Sequence, residues 1–379
     1  MREDWISDIF SNCIKLKSGD GLTAKKMIPG EIPVYGGNGI AGYHSESNLN
    51  GSQIIIGRVG ALCGRVRYLN EEIWLTDNAF KISEYKYDFD PKFLTYLLNH
   101  LDLRSFARQA AQPVISNSSL KHVLLTFPES VTEQKAIVKI LDEAFAKIDQ
   151  AKANIEKNIE NAKELFQSKL NEIFSQGGEG WEEKELGGIG YLKSGGTPSR
   201  TMKEYWNESS IPWYASGELN ETFTKQSKRH ITQLGLHNSN AKIFPKGSLL
   251  IGMYDTAALK MSIIDRDATF NQAIVGVEPN DKIDLIFIMH SINSQREEIL
   301  SLRRGVRQKN LNQSKIKAIK IQLPDISVQQ QVVISLEKLR ERTFELEKQF
   351  RVKLNNLEEL KKSLLQKAFS GELTKMSEP

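Results

Sequence analysis

The stretch FPESVTEQKAIVKIL (Phe127–Leu141) has a second version in the chain, LPDISVQQQVVISL (Leu323–Leu336). Each has a strand-like apolar end, a proline, a polar residue able to cap a helix, a glutamine, and then an apolar helical face. Pro128 and Gln134 are six positions apart in the first, whereas Pro324 and Gln329 are five apart in the second. One strand-to-helix junction written twice, about half a chain apart, makes internal duplication the first question.

Other segments echo at nearly the same spacing. LKSG at 16–19 returns as LKSG at 192–195, IPVYGG (32–37) as IPWYAS (211–216), and GSQIIIG (51–57) as GSLLIGM (247–253). TDNAFKI (76–82) is answered by FNQAIVGV (270–277), and Trp5 with Ile9 by Trp181 with Leu186. Before the junctions ISNSSLK (115–121) matches LNQSKIK (311–317) at an offset of 196. After them ELFQSKLNEIFS (164–175) matches ELKKSLLQKAFS (359–370) at an offset of 195, so the one-residue change falls in the junction itself. A repeat of this period is a two-fold duplication, not a solenoid of short units. It divides the chain into a module over 1–131, a long helix over 132–176, a module over 177–326 and a long helix over 327–379.

The helices are written by their apolar spacing. The first carries Ile137, Leu141, Ala144, Ile148, Ala151, Ile155, Ile159, Ala162, Leu165 and Ile173. The second carries Val332, Leu336, Leu339, Thr343, Leu346, Phe350, Leu354, Leu357, Leu360 and Leu364. Steps of three and four alternate, giving a narrow seam flanked by charge, as a coiled coil requires. Both copies take two consecutive steps of four at one place (151–155–159 and 346–350–354), a stutter that keeps paired helices in step. Ser327 with Gln330 forms a capping box, and Ser130 with Glu133 or Thr132 alone serves the first helix, which SQGGEG (175–180) ends. The modules read as mixed and β-rich, with SQIIIG, LLIGMY, DATFNQAIVGV and KAIKIQL between turn residues, each interrupted by one helix (PKFLTYLLNHL and DLIFIMHSINSQREEI).

A helix of about 44 residues is roughly 65 Å long. A module of about 145 residues is roughly 40 Å across, too small to return the chain for a parallel pair. Antiparallel pairing needs no return path. The expected fold is therefore α+β: two mixed β-rich modules separated by a long antiparallel two-helix coiled coil, with an internal pseudo-two-fold repeat. Two dissimilar heads held at a fixed distance suit DNA with a split target, because protein symmetry and half-site spacing are linked.

Composition limits the alternatives. Forty per cent apolar and 26% charged residues in 379 describe a globular protein with room for two or more cores. No apolar run approaches the roughly 20 residues of a membrane span, and MREDWISDIF lacks a secretory pattern, so no membrane association and a cytoplasmic location are expected. Cys13 and Cys63 cannot build a disulfide framework. The net charge of +4 argues for nucleic acid only if basic residues are locally concentrated. Enzyme readings find little support: there is no Pro-Pro pair for a DNA amino-methyltransferase tetrapeptide and no GxxxxGK[ST] loop. The six histidines (44, 100, 122, 230, 237, 290) show no i, i+4 pair for zinc, and Glu182–Glu183–Lys184 is only the ExK part of a nuclease site. No metal or cofactor is expected on this chain.

The chain resembles the specificity subunit of type I restriction-modification systems. The features that carry this are YGGNGIAGYH (35–44), LKSGGTPSR (192–200) followed by IPWYASGEL, GVRQKNL (305–311) before KIQLPDISVQQQ, and SLLQKAFSGEL (363–373). Their order around two long helices is more specific than any one of them. The resemblance implies two target-recognition domains reading the halves of an asymmetric split site in double-stranded DNA. It also implies two docked methyltransferase subunits carrying S-adenosylmethionine for adenine methylation. Motor-nuclease subunits using ATP and magnesium join for restriction. FPESVTEQ, with its extra residue, departs from the more apolar proline turn of the family.

Base reading wants Arg or Lys for guanine and Asn or Gln for adenine, on loops or helix ends. Arg108 aligns with Arg304 and Gln112 with Gln308 at the 196 offset. The second copy adds Arg303, Arg307, Lys309 and Asn310, and the first adds Arg104 and Asn117. A solvated basic turn is the plain account of a lone charge run; recurrence at matching places, with the resemblance, favours DNA contact. The glycine loops around Lys17–Ser18–Gly19, Tyr35–Gly36–Gly37–Asn38 and Lys193–Ser194–Gly195–Gly196–Thr197, the last followed by Arg200, could bring amides to a phosphate. Ordinary tight turns are their equal alternative. Tyr35 and Tyr214 could pack on sugar or base, whereas Trp213 is the better core residue. Arg58, Arg65 and Arg67, in GRVGALCGRVR, are expected off the core, toward phosphates or water. Two rivals remain: a coiled-coil scaffold that binds proteins without reading DNA, and a self-sufficient DNA-modifying enzyme.

Overall fold

The computed structural model describes residues 4–108, 112–302 and 310–375. The chain forms two compact units, the first from its N-terminus to Glu156 together with Arg351 onward, the second Lys157–Phe350.

The first unit holds β1 (Trp5–Ile9), β2 (Ile14–Ser18), β3 (Ile32–Gly36), β4 (Gly39–His44), β5 (Ser52–Gly57), β6 (Val66–Asn70), β7 (Trp74–Leu75), β8 (Ala79–Tyr85) and β9 (Leu124–Pro128). They form an antiparallel sheet β2–β8–β5–β6, a sheet β4–β3–β7 in which β3 and β7 are parallel, and a ribbon β1–β9. Ile54, Ile55 and Ile56 of β5 are all buried, as a strand in a sheet covered on both faces requires. The helix Pro91–His100 starts on Asp90, whose carboxylate accepts the Phe93 N–H, and has proline in its first turn. Its Phe93, Leu94, Leu97 and Leu98 enter the core with Phe127, Ile137 and Leu141.

The second unit repeats this plan. Its strands are β10 (Glu182–Glu185), β11 (Leu192–Ser194), β12 (Trp206–Tyr214), β13 (Arg229–Ile231), β14 (Leu249–Gly252), β15 (Met261–Ile263), β16 (Thr269–Phe270), β17 (Ile274–Val277) and β18 (Lys320–Leu323). The sheet orders are β11–β17–β14–β15 and β13–β12–β16, again with one parallel pair (β12 with β16), and β10–β18 is the ribbon. A helix at Leu285–Ser294 starts on Asp284 as its counterpart starts on Asp90.

The two quoted junctions do the same work. Gln134 accepts the Asp90 N–H (2.8 Å) and donates to the carbonyls of Asp88 (3.1 Å) and Pro128 (3.0 Å). Gln329 accepts the Asp284 N–H (2.9 Å) and donates to those of Lys282 (3.0 Å) and Pro324 (2.8 Å). Both glutamines are fully buried. Each ties the strand before the junction to the module's helix, satisfying backbone groups that the chain reversal strands away from water. The extra residue of the first junction leaves this clasp unchanged.

The junctions lead into helices Val131–Gln176 (46 residues) and Ile326–Phe369 (44 residues). The first starts on Ser130, whose hydroxyl accepts the Glu133 N–H. The second starts on Asp325, whose carbonyl accepts the Gln329 N–H, so Ser327 lies inside the first turn instead of capping it. It ends at Phe369, before Gly371 (φ +80°) turns the chain, short of the expected 379. Within the first unit Lys152 pairs with Glu358 and Asp149 with Lys361, whose ammonium also lies 4.7 Å over the Phe145 ring. Rising numbers on one helix meet falling numbers on the other, so these two segments run in opposite directions. Leu165, Leu346 and Leu360 of the expected seam are exposed; Phe166, Leu170 and Phe174 pack against the core of the second unit instead. Among the described residues no helix is long and apolar enough to cross a membrane.

Candidate nucleic-acid interface

Arg58, Arg65, Arg67, Arg104 and Arg108 are all the arginines between residues 4 and 156. The first unit folds four of them onto one cluster of loops and Arg67 onto strand β6, against the turn of the β3–β4 hairpin. After β5 the chain turns tightly: Gly57 donates to the Arg65 carbonyl (3.0 Å) and Gly64 donates back to Gly57 (2.8 Å). Gly60 and Gly64 hold positive φ there (+95° and +85°). Arg58 donates its N–H to the Asn78 carbonyl, and its own carbonyl takes the Ile115 N–H. Arg108 donates to Val114, which bridges to Val59, and the Gly60 N–H reaches Pro113. Asn38, at the tip of the β3–β4 hairpin, accepts the Leu62 N–H (2.9 Å), and Arg104 Nη1 donates to Ala61 (2.6 Å). Asn38, Arg58, Arg65, Arg104, Arg108 and, just beyond, exposed Gln112 therefore sit together although up to 74 positions separate them.

None of these five arginines meets a carboxylate among the described residues. Elsewhere in the same unit Lys15 pairs with Glu84 and Lys92 with Asp142. Unpaired cations on one surface keep their field for an incoming polyanion. Arg58 lies 5.4 Å from the centre of the Phe80 ring and donates to the Asp77 carbonyl (3.2 Å) and the Ser18 hydroxyl (3.5 Å). Its Nε is buried without an acceptor, as is Nη1 of Arg67. Burial, and then the neighbouring Arg65, push the Arg67 guanidinium below its usual pKa, and it remains a cation at neutral pH. Lys17 and Arg65 are exposed.

Several expected contacts are framework instead. Tyr214 (1% exposed) and Tyr35 (7%) are core residues, like Trp213, and their hydroxyls donate to the Lys225 carbonyl and Glu71, so neither ring can stack on DNA. The glycine loops do not offer free amides at Gly19, Gly195 and Gly196: those N–H groups go to Ala79, Ile274 and Phe270. Gly37 is buried, and its close packing leaves no room for a side chain, since a Cβ there would strike the Val59 carbonyl. Ser194 donates to Gln313 (2.8 Å), Thr197 to Gln272, and Asn117 reaches the Leu16 carbonyl (3.4 Å). Sequence reasoning gave no role to the paired glutamines; their recurrence inside both quoted junctions was the available signal.

In the second unit Lys193 and Arg200 are exposed and Asn310 borders the described region. Arg303, Arg304, Arg307, Gln308 and Lys309 lie outside the described residues. The positions matching Arg58, Arg65 and Arg67 are differently filled. Met253 makes the backbone bonds of Arg58, to Ala273 and Leu311; Lys260 takes the place of Arg65; and Ser262 pairs with Leu250 as Arg67 pairs with Ile55. Glu182 and Lys184 pair with each other and Glu183 with Lys320, so that triplet is spent on the β10–β18 ribbon.

A family model described as type I restriction modification DNA specificity domain matches residues 6–161 and again 178–356. The specificity subunit of the Escherichia coli type I restriction enzyme EcoR124I/EcoR124II is 30% identical over 258 residues, 65% of this chain and 62% of that one. The MjaIX specificity subunit of Methanocaldococcus jannaschii is 26% identical over 161 residues, 41% of this chain and 37% of that one. The alignments thus span less than two thirds of either relative's own length. Among solved structures, the HsdS subunit from Thermoanaerobacter tengcongensis superposes with a TM-score of 0.65 at 14% identity over 98% of each chain. A chain from work on assembly and conformational transition of the type I R-M system gives 0.76 at 12% identity, covering 98% of this chain and 99% of that one. The two matched stretches cover most of the sequence, and the chain belongs to the type I restriction-modification DNA specificity family.

Proposed function

We propose that this chain is the DNA-reading subunit of a type I restriction-modification complex. Each module, one per unit, is a target-recognition domain for one half of a split, asymmetric site. The observation that carries the reading is one scaffold written twice with different surfaces: identical strand orders and glutamine clasps, but Arg58, Arg65 and Arg67, without carboxylate partners among the described residues, in one unit and Met253, Lys260 and Ser262 at the matching places in the other. A duplicated frame with unlike faces fits a target whose halves differ. The long helices, paired as an antiparallel coiled coil, set the unread spacer and dock two methyltransferase subunits. Those partners bring S-adenosylmethionine and methylate adenine, while motor-nuclease subunits bring ATP and magnesium; this chain supplies recognition and no catalysis. Family membership and the arginine cluster support DNA reading over a protein-binding scaffold.

The test is methylation mapping in cells carrying this gene with its neighbouring methyltransferase gene, then with either one removed. A split adenine-methylated motif that requires both genes is the expected result. Survival of the same motif without this chain removes it from the role of reader and favours the scaffold.

A further inference from the structure

The arginines of the first unit are not equivalent. Arg65 and Arg108 are exposed with no side-chain partner among the described residues, and Arg104 is exposed with one bond to a carbonyl. Such flexible cations suit phosphates, which need charge and little geometry. Arg67 is different: its guanidinium is half-buried on β6, one of its N–H groups has no acceptor, and it lies against the glycine turn of the β3–β4 hairpin. A Cβ at Gly39 (φ +99°) would sit 3.4 Å from Arg67 Nη2, in van der Waals contact, so Gly39 itself puts no side chain on that edge of the guanidinium. Arg58, just after β5, is held by Ser18 and the Asp77 carbonyl, also with one buried N–H unfilled.

A buried cationic donor without an acceptor is costly, and a bound ligand can supply the missing partner. We propose that Arg67, assisted by Arg58, reads a guanine in the half-site of the first unit, while Arg65, Arg104 and Arg108 hold phosphates. The planar fork of Arg matches O6 and N7 of guanine in the major groove, and a half-buried side chain has less freedom to lose on binding than an exposed one. The second unit has buried Met253 and Ser262 at these positions, so it must read its half-site with other residues. This inference rests on the DNA-reading function above and names the residue that performs it.

The experiment maps methylation by the complete chain with its methyltransferase for R67K, R58K and, as control, R65K. Lysine keeps the charge but not the fork. The expected result is that R67K relaxes discrimination at one guanine of one half-site by about tenfold or more, leaves the other half-site intact, and that R65K leaves the motif unchanged. An unchanged motif with R67K overturns the assignment while leaving DNA reading in place. If R67K abolishes methylation, melting of the purified complex and its binding to duplexes carrying one intact half-site decide. Unchanged melting with retained binding to the second half-site supports the assignment. A lowered melting temperature makes Arg67 a brace and overturns it. Absence of any split motif with the unsubstituted chain takes down the DNA-reading function itself, and the assignment with it.

Discussion

In the first unit Tyr96 donates to Asp142 (2.6 Å), which also receives Lys92 (2.8 Å). At the matching place in the second, His290 lies 3.1 Å from Glu337, which also receives Arg340, and Arg340 reaches the Thr222 hydroxyl (2.9 Å). Beside Tyr96 stands the Phe145 ring; beside His290 stands Phe166. Each clasp joins the short helix of a module to the long helix that follows it, yet apart from a carboxylate on the long helix, itself Asp142 in one and Glu337 in the other, the two copies share no residue. The glutamines about two turns away on the same long helices are identical. The difference lies in what each site must satisfy. Gln134 and Gln329 answer a fixed set of backbone groups, one N–H and two carbonyls, which a glutamine amide at that spot can serve together. The clasps have only to pair two side chains, and a phenol with a carboxylate does so as well as an imidazole. Loops beyond the clasps face no common demand, and there the copies diverge to arginine on one side and methionine or serine on the other.

The sharpest way to break the comparison is to remove the shared residue. Gln134→Ala leaves the Asp90 N–H and the Asp88 and Pro128 carbonyls unpaired in the core, and Gln329→Ala does the same to Asp284, Lys282 and Pro324. Each substitution should cost about 3 kcal/mol, measured by denaturant unfolding with hydrogen exchange reporting which unit opens. Equal losses confirm one clasp used twice. A clearly smaller loss for Gln134→Ala means that the extra residue of the first junction lets water or the chain fill the gap.

A second pair tests the frame at its sheets. A Cβ on Gly19 would collide with the carbonyls of Leu75 and Thr76, and one on Gly195 with those of Phe270 and Asn271. Gly19→Ala and Gly195→Ala should each destabilise by about 1–3 kcal/mol, since backbone cannot step aside as a side-chain tip can. Melting of the two variants checks this. A tolerated alanine in one unit only would show that the first or the second frame is looser than its twin.

Duplication, the long helices and the strand runs were legible because local patterns write them: periodic apolar residues, β-branched runs between turns, and the repeat itself. The cap of the second helix is not the familiar box that Ser327 and Gln330 spell, because Asp325 supplies the first helical carbonyl. Leu165, Leu346 and Leu360 kept the seam spacing but are exposed, since spacing names a face and not its neighbour. Tyr214 and Tyr35 entered the core because one acceptor near each hydroxyl suffices for a buried phenol. Arg67 could not be separated from Arg65 by sequence. Its setting depends on Gly39, 28 positions away in another sheet, and long-range contacts of that kind leave no local mark.

The smallest expected effect separates the clasps by pH. Burial holds the His290 imidazole below its ordinary pKa of 6.5; Glu337 and Asp284 oppose this and Arg340 adds to it. The native second unit therefore keeps His290 neutral while an unfolded chain takes up a proton as pH falls through 6.5. Its contribution to stability is complete above that pH and declines below it, by at most about 1.4 kcal/mol at pH 5.5. Asp142 behaves otherwise. Burial raises its pKa, but the bonds from Lys92 and Tyr96 outweigh that and hold it below 3.8, so its contribution persists until pH falls through the carboxylate range. His100, lowered by burial in the first unit, acts in the same direction as His290, but it is exposed at its surface and solvent screens most of the effect. Protection of the amides of Leu285–Ser294, corrected for intrinsic exchange, should fall between pH 7.5 and 5.5 more than that of Pro91–His100, and His290→Gln should abolish the excess. Equal pH dependence in the two helices would mean that His290 is protonated in the native clasp, held there by Glu337 against its burial.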